Sequence, residues 1–501
     1  MHPPGPATNY EPRATSHELR ATRRRRAVRC GAAVLVILIL ASGFIGGLYR
    51  SMKERPDPDW RSLQRESTHV WQHRSIPTTP AMFGYLPTTF FALWPVAVWL
   101  PKPVGAIVFV SLNVLAAVAS WLILYRWWFS PSSKVGRATF VWPILITVCH
   151  FQHVLQANQL TIWVLLLCVG GLTLLMHRHQ WLGGLLLGLA GCLKVTPFVF
   201  LGYLILRGQW KGFLGMLLAV VLFDVVPSVV FLGADGAVHE HRLWLQRVQW
   251  YSNRQMIEHP YLRLGRHGLR NNCSYSVVLA RWLRPRPEYD VQIILRGDPP
   301  EEIVKATAAE LKPGEHLVFD PAHIPGVAWK KQRAVIPDVP RSPLAAFSAR
   351  TVLTVWAATL AIAVGILFFV TRRSRREAPG NLAWCAEASL WMLLMLWISP
   401  LLRDYYLPLA LPACVVIWQA VMVKNGSVAR ARIPSRTPRG RMAAFAALGF
   451  FCVGFAALAV EALNWYGLHI ATLAGLAAAS GWVWYTSESR RRLSTQSVRR
   501  F

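Results

Sequence analysis

Charge is scarce in this chain. Charged residues make up 16% of its 501 positions against 54% hydrophobic ones. With apolar runs of about 20 residues recurring from end to end, that scarcity excludes a soluble multidomain protein and indicates a polytopic helical membrane protein. In lipid a backbone must satisfy its own hydrogen bonds, so these runs are expected to be helices packed as one bundle. Cysteine pairs at CxxC spacing are missing, and so is any set of His, Cys, Asp or Glu at metal-ligand spacing. The eight cysteines are scattered, most of them inside apolar runs, and read as small packing residues. The expectation is therefore no metal and no cofactor. The first apolar run, Cys30 to Tyr49, lacks a small-residue cleavage site and is too long for a removable signal, so a retained helix is expected after the polar tail 1–28.

The charge that is present is strongly one-sided, with a formal net charge of +30. Its distribution argues against a nucleic-acid partner. Arginines cluster at the flanks of apolar runs, at Arg23 to Arg26, Arg372 to Arg376 and Arg490 to Arg492. This is the pattern of the positive-inside rule, with added attraction to anionic membrane lipids.

About twelve spans are expected: Cys30–Tyr49, Phe83–Leu100, Val104–Tyr125, Leu160–Met176, Leu182–Leu206, Phe213–Phe231, Val352–Val370, Leu382–Ile398, Leu407–Val423, Ala443–Ala462 and Tyr466–Trp484, with Ala138–Cys149 as a half-helix or re-entrant piece. Basic cytoplasmic tails are then 1–28 and 486–501. An N-terminal membrane module covers 29–232, and C-terminal membrane helices cover 346–485. Between them, 233–345 forms an extra-cytoplasmic loop. Its part Pro285 to Val339 carries segments such as VQIIL and HLVFD and reads as a small, partly β insertion.

Ionisable groups inside such runs are costly and are functional candidates by default. Lys194, three residues before Pro197, is expected at midspan beside a water-filled cavity, where it would neutralise an anion. Asp224 beside Pro227 reads either as a functional acid or as a partner for backbone groups freed by a kink. Gln156, Asn158 and Gln159 mark a helix break that either binds sugar hydroxyls or merely caps itself. Asp57 and Asp59 follow the first span, and Arg403, Tyr405 and Tyr406 lie in the corner SPLLRDYYLP. An acid near two cations is what transfer from a phosphate leaving group requires: a base for the incoming hydroxyl, and positive charge for the departing oxygen.

The order of these segments resembles the GT-C type of lipid-phosphate-sugar glycosyltransferases, most closely glycosyltransferase family 87, which includes polyprenyl-phosphate-mannose-dependent mannosyltransferases. Asp59 sits where the family has its acid after span one, with Asp57 as the second candidate. Tyr85, Pro87 and Pro95 resemble its "Y-x-P" start to span two. Asn158-Gln159 resembles its "GQ" opening of a middle helix, and Leu193-Lys194 its "LKP" segment with the proline delayed to Pro197. Asn272, Ser274 and Arg281 resemble its "N-x-S" motif before an arginine-bearing helix. Ser399 and Pro400 resemble its late "SP" motif, with Arg403, Tyr405 and Tyr406 where the family usually has Trp, His and His.

The resemblance implies an all-α, GT-C-like bundle that moves a hexose such as mannose, by inversion, from a polyprenyl-phosphate donor to a lipid or glycan acceptor at the non-cytoplasmic face of the cell membrane. Asp59 would be the base. Lys194 and Arg403 would hold the leaving phosphate. Gln159, Asn272 and Tyr405 would orient sugar or head group, with Asp57, Tyr85, Ser274 and Arg281 completing the substrate-binding set. Two other classes stay open: a transporter or flippase of a lipid-linked anion, disfavoured because matching Gly/Pro-interrupted halves are lacking, and an inactive family member.

Overall fold

The computed structural model describes residues 16–52, 59–74, 86–129, 138–250, 252–258, 274–284, 291–296, 299–319, 330–335, 345–374, 382–399, 404–422, 446 and 471–485. Nearly all of them are helical. Four stretches are long and apolar enough to cross a membrane: Ala27–Met52, Lys102–Trp128, Trp210–Leu245 and Ala349–Arg373. Shorter apolar helices pack among them. The chain is a helical membrane protein.

Helix α1 (Ser16–Met52) is followed by α2 (Asp59–His73) and α3 (Pro87–Val98). Helix α4 (Lys102–Ile123) continues into a π turn, Leu124–Trp128. Then come α5 (Val141–Ala157), α6 (Thr161–Met176), α7 (Gln180–Leu193), α8 (Val199–Arg207) and α9 (Trp210–Val220). A second π turn, Val221–Val225, leads into α10 (Val226–Trp250), which breaks at Gly233, whose φ of 75° favours glycine. Short helices α11 (Asn253–Glu258) and α12 (Tyr275–Leu283) precede a small sheet. In it β1 (Val291–Arg296) pairs parallel with β2 (Glu315–Phe319), across α13 (Glu301–Ala309), and antiparallel with β3 (Lys330–Val335). Helices α14 (Ala349–Ser374), α15 (Leu382–Ile398), a 3₁₀ segment Asp404–Ala410, α16 (Leu411–Met422) and α17 (471–485) close the described chain.

Close helix contacts give the direction of each helix. Gly43 of α1 faces Gln152 of α5 and Gly47 faces Leu155, so these two helices run parallel. A Cβ on Gly47 would overlap the Leu155 carbonyl oxygen. Gly171 of α6 meets Gly183 of α7 in antiparallel fashion, while Gly184 and Gly188 of α7 meet Gly212 and Met216 of α9 in parallel. We call the end of the bundle where α1 finishes distal, and the other proximal.

At the proximal end Trp128 donates to Thr173 and lies 5.8 Å from the Trp384 ring. There, too, Arg207 and Glu387 form a buried ion pair at 2.7 Å that joins α8 to α15. Arg372 and Arg373 lie in the last turn of α14, so the basic groups at 207 and 372–373 share one end.

Four expectations change. The run Phe83–Leu100 does not form a span: α3 has 12 residues, about 18 Å of helix, and lies along α2, with Gln64 donating to the Ala97 carbonyl. The loop after α1 is itself partly helical, because α2 carries Trp60, Leu63 and Val70 on one buried face. The run Leu182–Leu206 does not cross either. It is a hairpin in which α7 rises from the proximal end, turns after Leu193, and returns as α8 with Phe198 packed on Gly191. Pro197 explains the turn, since it cannot supply the N–H that a continuous helix needs there. The run Ala138–Cys149, by contrast, is the start of the longer helix α5, so the half-helix reading does not hold. The expected span Ala443–Ala462 lies, except for residue 446, outside the described residues.

Candidate functional site at the distal end

The distal end is built around a break between α5 and α6. Asn158 adopts a left-handed conformation (φ 54°, ψ 47°) that ends α5. Asparagine tolerates this better than most side chains do. Its amide donates to the Gly47 carbonyl at 3.1 Å and to the Ser51 hydroxyl at 2.7 Å, tying the break to the last turns of α1. Arg61 of α2 donates to the Ser51 carbonyl at 2.8 Å. Gln159 is buried beside it, and Thr161 opens α6.

Lys194 occupies the tip of the α7–α8 hairpin in an extended conformation (φ −151°). Its side chain is buried: Nζ donates to the Thr161 hydroxyl at 2.7 Å and lies 3.6 Å from the centroid of the Tyr406 ring. An ammonium over an aromatic face is an attractive arrangement. Three segments far apart in sequence therefore meet at one cation: the 158–161 break, the 193–198 turn and the 404–410 corner. Lys194 is not at midspan, as the apolar pattern suggested, but at a turn. That removes the cost of a charged group in an uninterrupted helix and turns the side chain toward the bundle.

Asp59 opens α2. The next residue, Trp60, is fully buried and stacks on Phe109 of α4 at 4.4 Å. Trp60 and Leu160 belong to one hydrophobic cluster, so the start of α2 and the break before Thr161 share a core. One turn before the end of α2, burial, followed by the charge of His73, lowers the His69 pKa against the opposing pull of Glu66. This face of α2 thus favours the neutral imidazole near pH 7.

A second polar cluster adjoins the first. Asp224 is buried in the π turn, where it accepts from the Thr88 amide at 3.2 Å and from the Thr88 hydroxyl, both in the first turn of α3. Its other oxygen lies 2.9 Å from His241 Nε2. Cys192, two residues before Lys194, is buried near the end of α7, a helix that contacts both α3 and the π turn. The two sequence readings of Asp224 thus resolve into a carboxylate that caps a neighbouring helix and pairs with a histidine.

Of the expected site residues, the structure brings Lys194 and the Gln159 region together with Tyr406, the neighbour of Tyr405. Ser274, the N-cap residue of α12, and Arg281 on that helix are buried, α12 packs on α14, and the Tyr275 ring between them lies tilted at 4.9 Å from Trp397 at the distal end of α15. Asp57, Tyr85, Asn272 and Arg403 lie outside the described residues. Tyr406 and Asp224, both named from the sequence, stand in the distal clusters, and so do Thr161, Thr88 and His241, which were not. Thr161 was within reach of the sequence, since it lies two residues after the quoted Asn158-Gln159 motif. Thr88 and His241 carried no signal, because only the fold brings them to Asp224. Among the described residues no group of three His, Cys, Asp or Glu side chains could hold a metal.

Fold and site together define a helical membrane protein with a buried cation and a buried carboxylate gathered at one end of its bundle. The model of glycosyltransferase family 87 matches residues 83–285, the stretch from α3 to α12 that contains the break, the hairpin and Asp224. Through this region the chain is similar to glycosyltransferase family 87. It is similar to an alpha-(1->3)-arabinofuranosyltransferase of Corynebacterium glutamicum, with 28% identity over 152 residues, covering 29% of this chain and 34% of the relative. The matched part thus spans about a third of that relative's length. No solved structure matches the chain.

Proposed function

We propose that the protein is a multi-pass membrane glycosyltransferase that moves a sugar from a polyprenyl-phosphate donor to a lipid or glycan acceptor, working at the distal end of the bundle on the non-cytoplasmic side of the cell membrane. The observation that carries this reading is the seating of Lys194 at the hairpin tip, against Thr161 and Tyr406. In the proposed reaction Asp59 takes the proton of the acceptor hydroxyl. The acceptor oxygen attacks the anomeric carbon, the bond from that carbon to the phosphate oxygen breaks, and polyprenyl phosphate leaves with the electron pair. Lys194 and Arg403 stabilise the phosphate. Gln159, Asn272 and Tyr405 orient the donor, with Asp57, Tyr85, Ser274 and Arg281 lining its approach. The grouping of basic residues at the proximal end supports a cytoplasmic placement of that end.

The resemblance favours a hexose, mannose first. The name of the corynebacterial relative favours a second reading, an arabinofuranose. Membranes containing the protein, supplied in parallel with radiolabelled polyprenyl-phosphate mannose and polyprenyl-phosphate arabinofuranose, are expected to pass label from one of them into a lipid or glycan product. Label that crosses the bilayer on its original lipid without forming product would indicate the transporter instead. No transfer from either donor would leave the inactive member.

A further inference from the structure

The mechanism above makes no use of His241 or Asp224, yet both side chains sit beside the element that carries Lys194. His241 Nδ1 faces the Ala237 carbonyl at 2.8 Å. A carbonyl oxygen only accepts, so Nδ1 carries a hydrogen. Nε2 faces the Asp224 carboxyl at 2.9 Å, and that contact also needs a proton between the two atoms. Whether the proton rests on the imidazole or on the carboxyl, the pair as a unit has no net charge. Without the histidine, the two Thr88 donors, amide and hydroxyl, are the partners left to Asp224.

The location makes that neutrality matter. Asp224 lies where α3, α7 and the π turn meet, one turn beyond the level at which Gly188 of α7 packs on Met216 and Ala219 of α9, a register that brings Cys192 to the level of the π turn. Lys194 is two residues beyond Cys192, at most about 7 Å further along the chain. An uncompensated carboxylate at this spot, inside a low-dielectric bundle, would offset the lysine's field. Among the described ionisable residues, Asp235, His239, Glu240 and Arg242 share the helix of His241, and Arg74, just after α2, lies 5.4 Å over the Phe231 ring of the same helix. Helix α3 brings none, and the π turn brings only Asp224.

We infer that His241 is a positioning residue that neutralises Asp224, so that the Asp224–Thr88 bonds can tie the π turn to α3 beside the hairpin without cancelling the positive charge that Lys194 offers to the phosphate of the donor. This rests on the proposed lipid-phosphate donor. A merely structural clamp would use the same bonds, but it makes the opposite forecast for a double substitution.

The test is binding of a long-chain polyprenyl monophosphate to the full-length protein in lipid nanodiscs, with the corresponding polyprenol, which lacks the phosphate, as control. His241→Gln is expected to weaken binding of the phosphate about tenfold and to leave polyprenol binding unchanged. Adding Asp224→Asn to His241→Gln is expected to restore phosphate binding to within about threefold of wild type, because the stray charge is gone. Equal binding by wild type and His241→Gln overturns the inference, and so does a double variant that binds as weakly as His241→Gln or more weakly. Should His241→Gln fail to elute as a folded protein, Asp224→Asn alone decides: binding at least as tight as wild type supports the inference, and weaker binding overturns it. A wild-type protein that does not distinguish polyprenyl phosphate from polyprenol removes the donor reading itself, and this inference with it.

Discussion

Lys194→Met is expected to lower sugar transfer by about 10²- to 10³-fold, the range seen when one stabilising donor is removed from a preorganised site. Methionine keeps most of the length and the unbranched apolar stem of lysine, so the hairpin tip can still fill its place between Thr161 and the Tyr406 ring. What is lost is the charge that develops its full effect as the phosphate departs. The turnover number should therefore fall, and a rise in the KM for the donor alone would mean that lysine only binds it. A structural role predicts something else. If the Lys194–Thr161 bond mainly tied the hairpin to the break between α5 and α6, the variant would melt earlier in detergent while any folded fraction kept its turnover. Activity per folded molecule and melting temperature, measured on the same preparation, separate the two.

Asp59→Asn is expected to reduce transfer by at least about 10²-fold, the lower bound for loss of a positioned general base. The fold should persist. The anchor of this region is the neighbouring Trp60, buried against Phe109 and sharing a core with Leu160, and the substitution leaves it untouched. Asparagine is also a good residue for the start of a helix, so α2 should begin at the same place. Membrane fractions and elution profiles should match wild type while labelled product disappears. Retained transfer would take Asp59 out of the mechanism.

Much of this site could be anticipated from the sequence, but its depth in the bundle could not. The 156–159 cluster marks a helix break because Asn and Gln have no place in a continuous apolar helix, and the break is there, fixed by the left-handed Asn158. Lys194 stands out for the same reason. Its placement went wrong because Leu182 to Leu206 is long enough to read as one span, and hydropathy does not distinguish a helix that crosses from two that turn back. The turn is written in small features: Pro197, and the glycines at 183, 184, 188 and 191 that let α7 approach its neighbours. The run Phe83 to Leu100 misled in the same way. Its apolar residues are buried by α2 and by Phe231, which stacks on Phe91 at 5.0 Å, and not by lipid over a full span. The Asp224–His241 pair was out of reach, since its members are 17 positions apart and the chain between them passes through a helix start and the break at Gly233. The sheet strands β1 and β2, in contrast, coincide with the alternating segments VQIIL and HLVF.

The central claim is that the acid at the start of α2 and the lysine at the hairpin tip face one substrate. Cysteines placed at Asp59 and Lys194, in a chain whose eight native cysteines have been replaced by serine or alanine, test it directly with a short bifunctional thiol reagent. The account predicts an intramolecular cross-link that forms only when both cysteines are present and is suppressed by polyprenyl phosphate but not by polyprenol. No cross-link, together with labelling of the two positions by impermeant thiol reagents from opposite sides of the membrane, would contradict it.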